Sequence, residues 1–254
     1  MRIDVLTLFP EIFESPLKAS LLGKAIEEGR LEVALTDIRD FAEDKHRTVD
    51  DAPYGGGPGM VMKCGPVYAA VESLRERNSL ERVALLSPRG RPLDQGLVRE
   101  LANAPDLVLL CGRYEGVDER VAQDLCTDEI SVGDYVLSGG ELPALTIIEA
   151  VSRMLPGVIG DFESVESDSF YGGILGAPQY TRPDVFRGVA VPDVLKDGNH
   201  AAIARWRRKE ALRATLARRP ELLEARSPED EALLAELSEE LDRAGRKMGP
   251  EARR

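Results

Sequence analysis

Two glycine-rich stretches, LLCGRYEGVDER (109–120) and SVGDYVLSGGELP (131–143), carry the residue types of a small-molecule site. The first follows DLVLL (106–110), a continuous apolar run bounded by turn residues, which reads as a strand buried on both faces. Gly112 then turns the chain. In open α/β sheets ligands sit beyond the carboxyl ends of parallel strands, which places Gly112, Tyr114, Glu115 and Gly116 where a ligand binds. The second stretch repeats the arrangement: strand-like EISV (129–132), then the loop, then LPALTIIEAVSRML (142–155) as a helix with Leu145, Ile148, Val151 and Leu155 on one face. Gly139 and Gly140 allow either φ > 0 or a close backbone approach. One such loop is as well explained by an ordinary tight βα turn; two neighbouring loops of matching residue type favour a ligand.

Familiar phosphate signatures are missing. YGGGPGM (54–60) lacks the Lys-Ser or Lys-Thr of a P-loop, Gly23-Lys24 is followed by Ala25, and no strand leads into a full dinucleotide fingerprint. With only His46 and His200, a serine-histidine triad or a His-rich metal site has no material. Cys64, Cys111 and Cys126 have neither paired spacing nor nearby His, so they read as reduced, mostly buried thiols.

The elements that must position the loops alternate. RIDVLTLF (2–9), LEVALTDI (31–38) and RVALLSP (82–88) read as strands. SPLKASLLGKAIEEG (15–29), VYAAVESLRERN (67–78) and LDQGLVRELAN (93–103) read as helices, the first opened by Ser-Pro and closed by Gly. Alternation to about Leu155 predicts a mostly parallel sheet flanked by helices. From Pro156 to Asp197 the chain is rich in Gly, Pro, Ser and Asp, which predicts a linker or lid. Two helical stretches follow, the second capped by Ser227, and the GPEARR tail reads as frayed. The domains expected are 1–160, a linker over 161–197, and a helical domain over 198–254.

A chain of 254 residues with 43% apolar residues can bury a real core. It shows neither a membrane span nor a signal peptide, and a cytoplasmic protein is expected. The net charge of −12 argues at first against a polyanion partner. Its distribution does not. Arg205, Arg207, Arg208, Lys209, Arg213, Arg218 and Arg219 surround Trp206 and are opposed locally only by Glu210, while Glu229 to Asp242 hold the acidic residues. The basic block is either a solvated helix face or a phosphate-facing surface.

LTLFPEIF, DIRDFAEDKHRTVDDAPYGGGPGMVMK, LLSPRG, LLCGRYEGVDERV, SVGDYVLSGGELPALTIIEAVSRMLPG, ESDSF, YTRP and GNHAAIARWRRKEALRAT together resemble the bacterial tRNA (guanine-N1)-methyltransferase family, TrmD, over nearly the whole chain. The resemblance implies a SPOUT-type α/β fold: a mostly parallel sheet with a deep C-terminal trefoil knot, plus a small all-helical C-terminal domain. Periodicity cannot reveal a knot, which is a rare exception to unthreaded connections. The implied activity is transfer of the methyl group of S-adenosyl-L-methionine to N1 of guanosine 37 in tRNA, by a homodimer with its active site at the subunit interface.

By the same resemblance Ser87, Pro88, Gly112, Tyr114, Glu115, Gly116, Val132, Gly133, Asp134, Tyr135, Val136, Leu137, Gly139, Gly140 and Pro143 hold the cofactor. Asp168 is the general base and Arg153 the catalytic arginine; taken without the resemblance, they are a polar loop residue and a charge at a helix C-terminus. Asp50, Tyr54, Gly57 and Gly59 line the guanosine entrance, and Arg205, Arg207, Arg208 and Lys209 meet the tRNA backbone. Magnesium is implied too, with Glu115, Asp134, Glu141 and Asp168 as available oxygens and no spacing that fixes a ligand set. The rival readings are a related methyltransferase for another RNA and a non-catalytic RNA-binding homologue.

Overall fold

β1 (Arg2–Thr7), β2 (Glu32–Asp37), β5 (Val83–Pro92), β6 (Asp106–Cys111) and β7 (Asp128–Ser131) form one five-stranded sheet in the order β2-β1-β6-β5-β7, every neighbour parallel. The computed structural model describes residues 1–77, 80–160, 166–224 and 226–247. Two compact units, Met1–Asp161 and Phe162–Arg254, divide the chain. The expected frayed tail and residues 161–165 of the expected linker lie outside the described residues.

Parallel strands covered on both sides must be apolar throughout, and β6 is buried at every position. Its alternate side chains serve two cores. Leu107 and Leu109 join Ile3, Val5, Ala84 and Leu86 under helices α1 (Ser20–Glu27), α3 (Gln95–Ala102) and α5 (Glu141–Ser152). Val108 and Leu110 join Leu6, Val83 and Leu85 under α2 (Cys64–Arg75) and α4 (Glu119–Asp124). Each fully buried leucine contributes about 1.5–3 kcal/mol, so the sheet frame is stiff where the loops leave it. Short acidic caps begin two of the helices: Asp94 accepts from the Leu97 amide at 2.7 Å, and Asp118 from the Arg120 amide at 3.0 Å.

Three sequence expectations change. The helix expected over 15–29 is a 3-10 turn, Pro16–Lys18, followed by α1, because Ala19 is extended and Gly23 packs on the Lys18 carbonyl, where a Cβ would lie 2.6 Å away. The buried face of α5 is Ala144, Ile147, Ile148 and Val151, with Leu145 only partly covered and Leu155 beyond the helix end. β5 runs past residue 88 to Pro92. Its pairing with β7 jumps from Leu86↔Ile130 to Arg91↔Ile130, so 87–90 are pushed out of the ladder.

β3 (Asp50–Asp51) and β4 (Val61–Met62) make a small antiparallel ladder closed by the 52–60 loop. In the second unit, β8 (Val185–Phe186) and β9 (Val189–Ala190) form a hairpin, and α6 (His200–Arg218) and α7 (Pro228–Lys247) pack together. Ile174, in the stretch expected as linker, shares the core of Leu212, Leu223, Leu233 and Leu237. The Ser227 hydroxyl accepts from the Asp230 amide at 3.1 Å, as a helix cap should. Cys64, Cys111 and Cys126 are free thiols. Burial raises all three, Cys126 to about 11, so none is a thiolate at neutral pH.

Candidate cofactor and RNA site

The segment displaced from β5 (87–90) and the loops after β6 and β7 close around one cavity of about 310 Å³. All but one of the cofactor residues expected from the sequence line it: Ser87 and Pro88, Gly112, Tyr114, Glu115 and Gly116, then Val132, Gly133, Tyr135, Val136, Leu137, Gly139, Gly140 and Pro143. Asp134 is not among the lining residues. Sequence reasoning missed further wall residues, among them Leu85, Leu86, Arg89, Arg113, Ile130 and Ser138. Arg113 had a signal, since it stands between two residues of the glycine motif. Leu85, Leu86 and Ile130 had none, because as strand residues they look like core.

Each loop is shaped by a different device. Ser87 and Pro88 sit in the segment displaced from β5, and there a Cβ on Gly90 would meet the Ile130 nitrogen at 2.4 Å. In the second loop Tyr114 and Gly116 take φ of 59° and 117°, which turns the backbone around the cavity mouth. In the third, the Gly133 amide donates to Ser131 Oγ at 3.2 Å and the Tyr135 ring packs on Gly133. Gly140 is needed for proximity and not for φ: its own φ is −81°, but a Cβ would lie 2.7 Å from the Cys111 Cα. Its amide donates to the Gly112 carbonyl at 2.9 Å and Gly139 bridges to Arg113, so the second and third loops are joined.

The mouth is apolar and uncovered. Tyr135, Val136 and Leu137 are 57%, 84% and 40% exposed. Large apolar side chains exposed around a concave site are what a bound ring or a partner surface covers.

The 50–62 segment is docked beside this mouth. The Glu115 amide donates to the Met60 carbonyl at 2.9 Å, the Met62 amide to the Gly116 carbonyl at 3.0 Å, and the Asp118 amide to the Met62 carbonyl at 3.0 Å. The Glu115 carboxylate packs on Gly59, where a Cβ would meet its Oε1 at 2.4 Å. Gly57 and Gly59 both have positive φ, and Tyr54 projects fully into solvent. Asp50 lies on β3 at the foot of the loop.

Arg153 caps the C-terminus of α5, its amide donating to Glu149 O at 3.3 Å, and is half-buried. Asp168 lies exposed in the second unit, where its carbonyl accepts from the Tyr171 amide at 3.4 Å. These two residues therefore belong to different units.

The basic block is more engaged than its sequence suggests. Arg208 makes two bonds of 2.7 Å to the Asp230 carboxylate, Lys209 reaches Glu236 at 2.9 Å and Glu240 at 2.7 Å, and Arg205 pairs with Glu236. The acidic residues of α7 thus neutralise much of α6, and Arg208 holds the Asp230 carboxyl below its usual range. Among the described residues Arg207 makes no such pair, and it lines a second, polar hollow of about 270 Å³ with Tyr180, Thr181 and Arg182. Trp206 is half-buried, its ring 6.2 Å from that of Tyr180.

Among the described residues no group of three or more His, Cys, Asp or Glu is arranged to hold a metal ion. Glu141 is bound to Thr7 and Arg113, and Glu115 is packed on Gly59. The described side chains therefore do not make a magnesium cage. Among them, too, no helix is long and apolar enough to cross a membrane.

The sequence model of the tRNA (Guanine-1)-methyltransferase TrmD family matches residues 1–225. Proteins named tRNA (guanine-N(1)-)-methyltransferase are similar over most of their length. That of Citrifermentans bemidjiense is 56% identical over 88% of this chain and 90% of its own. Those of Dictyoglomus turgidum and Moorella thermoacetica are 54% and 56% identical over 95% and 94% of this chain, and 98% and 97% of theirs. At that identity and coverage the chain belongs to the tRNA (Guanine-1)-methyltransferase TrmD family.

Proposed function

We propose that this protein is a tRNA (guanine-N1)-methyltransferase that uses S-adenosyl-L-methionine to methylate N1 of guanosine 37. The observation that carries the reading is the convergence of the three loops on one cavity, in a chain whose relatives carry that name. The cavity's size and lining support the cofactor assignment. It is at the small end of ligand sites, and its wall combines apolar side chains with glycine backbone at 112, 116, 133 and 139–140, which supports a purine nucleoside as the ligand. When bound, S-adenosyl-L-methionine supplies an electrophilic methyl group.

The protein's part is to prepare the nucleophile. Guanine N1 holds a proton at neutral pH, and Asp168 accepts it as the base. Negative charge then grows on O6, where the Arg153 guanidinium stabilises it in a water-poor site. The 50–62 segment, with Asp50, Tyr54, Gly57 and Gly59, forms the approach for the base because it is bonded directly to the 115–118 loop. Following the family resemblance, the reading pairs two copies of the chain, each lending Asp168 to the other's cavity. The exposed Tyr135, Val136 and Leu137 fit such a covered mouth. The reading further takes the joined second and third loops as part of a trefoil knot, the stretch 161–197 as the linker, 198–254 as a helical tRNA-binding domain, and the cytoplasm as the place of action.

Of Arg205, Arg207, Arg208 and Lys209, Arg207 is the best placed to reach phosphate, because the other three are shared with α7. Incubation with unmodified tRNA and S-adenosyl-L-methionine, followed by nucleoside digestion and mass analysis, tests the reading. 1-Methylguanosine is expected; methylation at ribose or at another base would favour a different RNA methyltransferase, and no methylation a binding role.

A further inference from the structure

Beneath the cavity lies a buried polar chain with no part in the chemistry proposed above. Thr7, at the end of β1, donates its hydroxyl to Glu141 Oε1 at 2.8 Å. Glu141, the first residue of α5, has a side chain only 2% exposed, and its Oε2 lies 2.9 Å from Arg113 Nη2. Arg113 follows β6; its guanidinium stands 4.4 Å from the centre of the Phe9 ring, and Nη1 donates to the Ser138 carbonyl at 3.3 Å. The ends of β1 and β6, the start of α5 and the third loop thus meet at one ion pair.

The pair is expensive for its position. Taking two charges out of water costs several kcal/mol each, and an apolar pair of the same volume is often as stable. Among the described residues Arg113 Nε has no hydrogen-bond partner, and the buried Glu141 Oε2 is held only by the ion pair to Arg113 Nη2. Both press on Gly139, where a Cβ would lie 2.2 Å from Arg113 Nε and 2.5 Å from Glu141 Oε2. What the pair supplies is geometry. Arg113 bridges Gly139 and holds the Ser138 carbonyl, next to the point where Gly140 bonds Gly112. Ser138, Gly139, Gly140 and Gly112 are all cavity wall, whereas Thr7, Phe9 and Glu141 are not.

We infer that Thr7 and Glu141 are positioning residues: by orienting Arg113 they set the spacing of the second and third loops, and through it the affinity for S-adenosyl-L-methionine. This rests on the cofactor assignment made under the proposed function. It extends that assignment to residues outside the cavity wall.

Thr7 offers the clean test, because its methyl and hydroxyl can be removed separately. Thr7→Val keeps the volume and deletes both the bond to Glu141 and the acceptor of the Phe9 amide, which donates to Thr7 Oγ1 at 3.0 Å; Thr7→Ser keeps both bonds and opens a small buried cavity. Binding of S-adenosyl-L-methionine to the full chain is measured by calorimetry, beside the thermal midpoint without ligand. Thr7→Val is expected to raise Kd by about tenfold, the value of one hydrogen bond to a charged group, and Thr7→Ser to stay within about twofold of wild type even where its midpoint falls. Glu141→Gln, which keeps the shape and removes the charge, is expected to weaken binding at least as much as Thr7→Val. Kd values that follow the thermal midpoint and not the hydroxyl, or that stay at the wild-type value in all three variants, would overturn the inference. A wild-type protein that does not bind S-adenosyl-L-methionine would overturn the cofactor assignment itself.

Discussion

Gly140 lies so close over Cys111 that a Cβ would stand 2.7 Å from the Cys111 Cα and 3.1 Å from the Gly112 nitrogen. These atoms are backbone and cannot swing aside. Gly140→Ala is therefore expected to force the second and third loops apart, costing about 1–3 kcal/mol of stability by overpacking and weakening S-adenosyl-L-methionine binding at the same time. Thermal denaturation and calorimetry on the one variant would show both. An unchanged midpoint would mean that the loops separate freely.

Asp168→Ala is expected to lower turnover by roughly 10²- to 10⁴-fold, the usual worth of a general base, with affinity for S-adenosyl-L-methionine kept. Single-turnover methyl transfer beside equilibrium binding distinguishes this from a structural role, for which both quantities fall together.

Arg207 and Arg208 are neighbours in sequence with opposite expectations. Arg207→Gln should raise the KM for tRNA and reduce the slope of log affinity against log salt by about one phosphate contact, leaving the fold intact. Arg208→Gln strips a buried carboxylate of its bidentate partner, Asp230 being only 5% exposed, and should cost about 1–3 kcal/mol of stability. Filter binding across a salt series, with thermal melts of both variants, checks the pair. Equal salt slopes for Arg207→Gln and wild type would remove Arg207 from the RNA surface.

Much of this was readable from the sequence, and the failures have physical causes. Continuous apolar runs gave the parallel strands because burial on both faces leaves no polar position to mislead, as in β6. The glycine loops located the cavity because only glycine tolerates φ of 117° at position 116 or the approach of 140 to 111. Long-range pairing left no local trace. Thr7 and Glu141 are 134 residues apart, and nothing in either neighbourhood announces their bond. The basic block of α6 looked free because its partners Asp230, Glu236 and Glu240 come a helix later. The break in β5 was hidden by a proline and a glycine that read equally well as the strand's end.

The same pairs make the α6–α7 contact acid-labile. Asp230 is held below its ordinary value near 3.8 chiefly by Arg208, and Glu236 and Glu240 below theirs near 4.5 chiefly by Lys209. Because these folded values are depressed, the stabilisation is complete above the unfolded ones and drains away as pH falls through the folded ones. Helicity followed from pH 7 downward should hold to about pH 4.5 and then decline, and Asp230→Asn should flatten part of that decline while lowering stability at neutral pH. An acid limb identical in wild type and Asp230→Asn would show that Asp230 carries none of it.

The central claim is base-specific methyl transfer, and one assay reaches it directly. Labelled methyl from S-adenosyl-L-methionine is offered to an unmodified tRNA with guanosine at position 37, beside the same tRNA with adenosine there. The account predicts label in the first tRNA alone, carried as 1-methylguanosine. Equal label in both, or none in either with the folded protein and magnesium present, would contradict it.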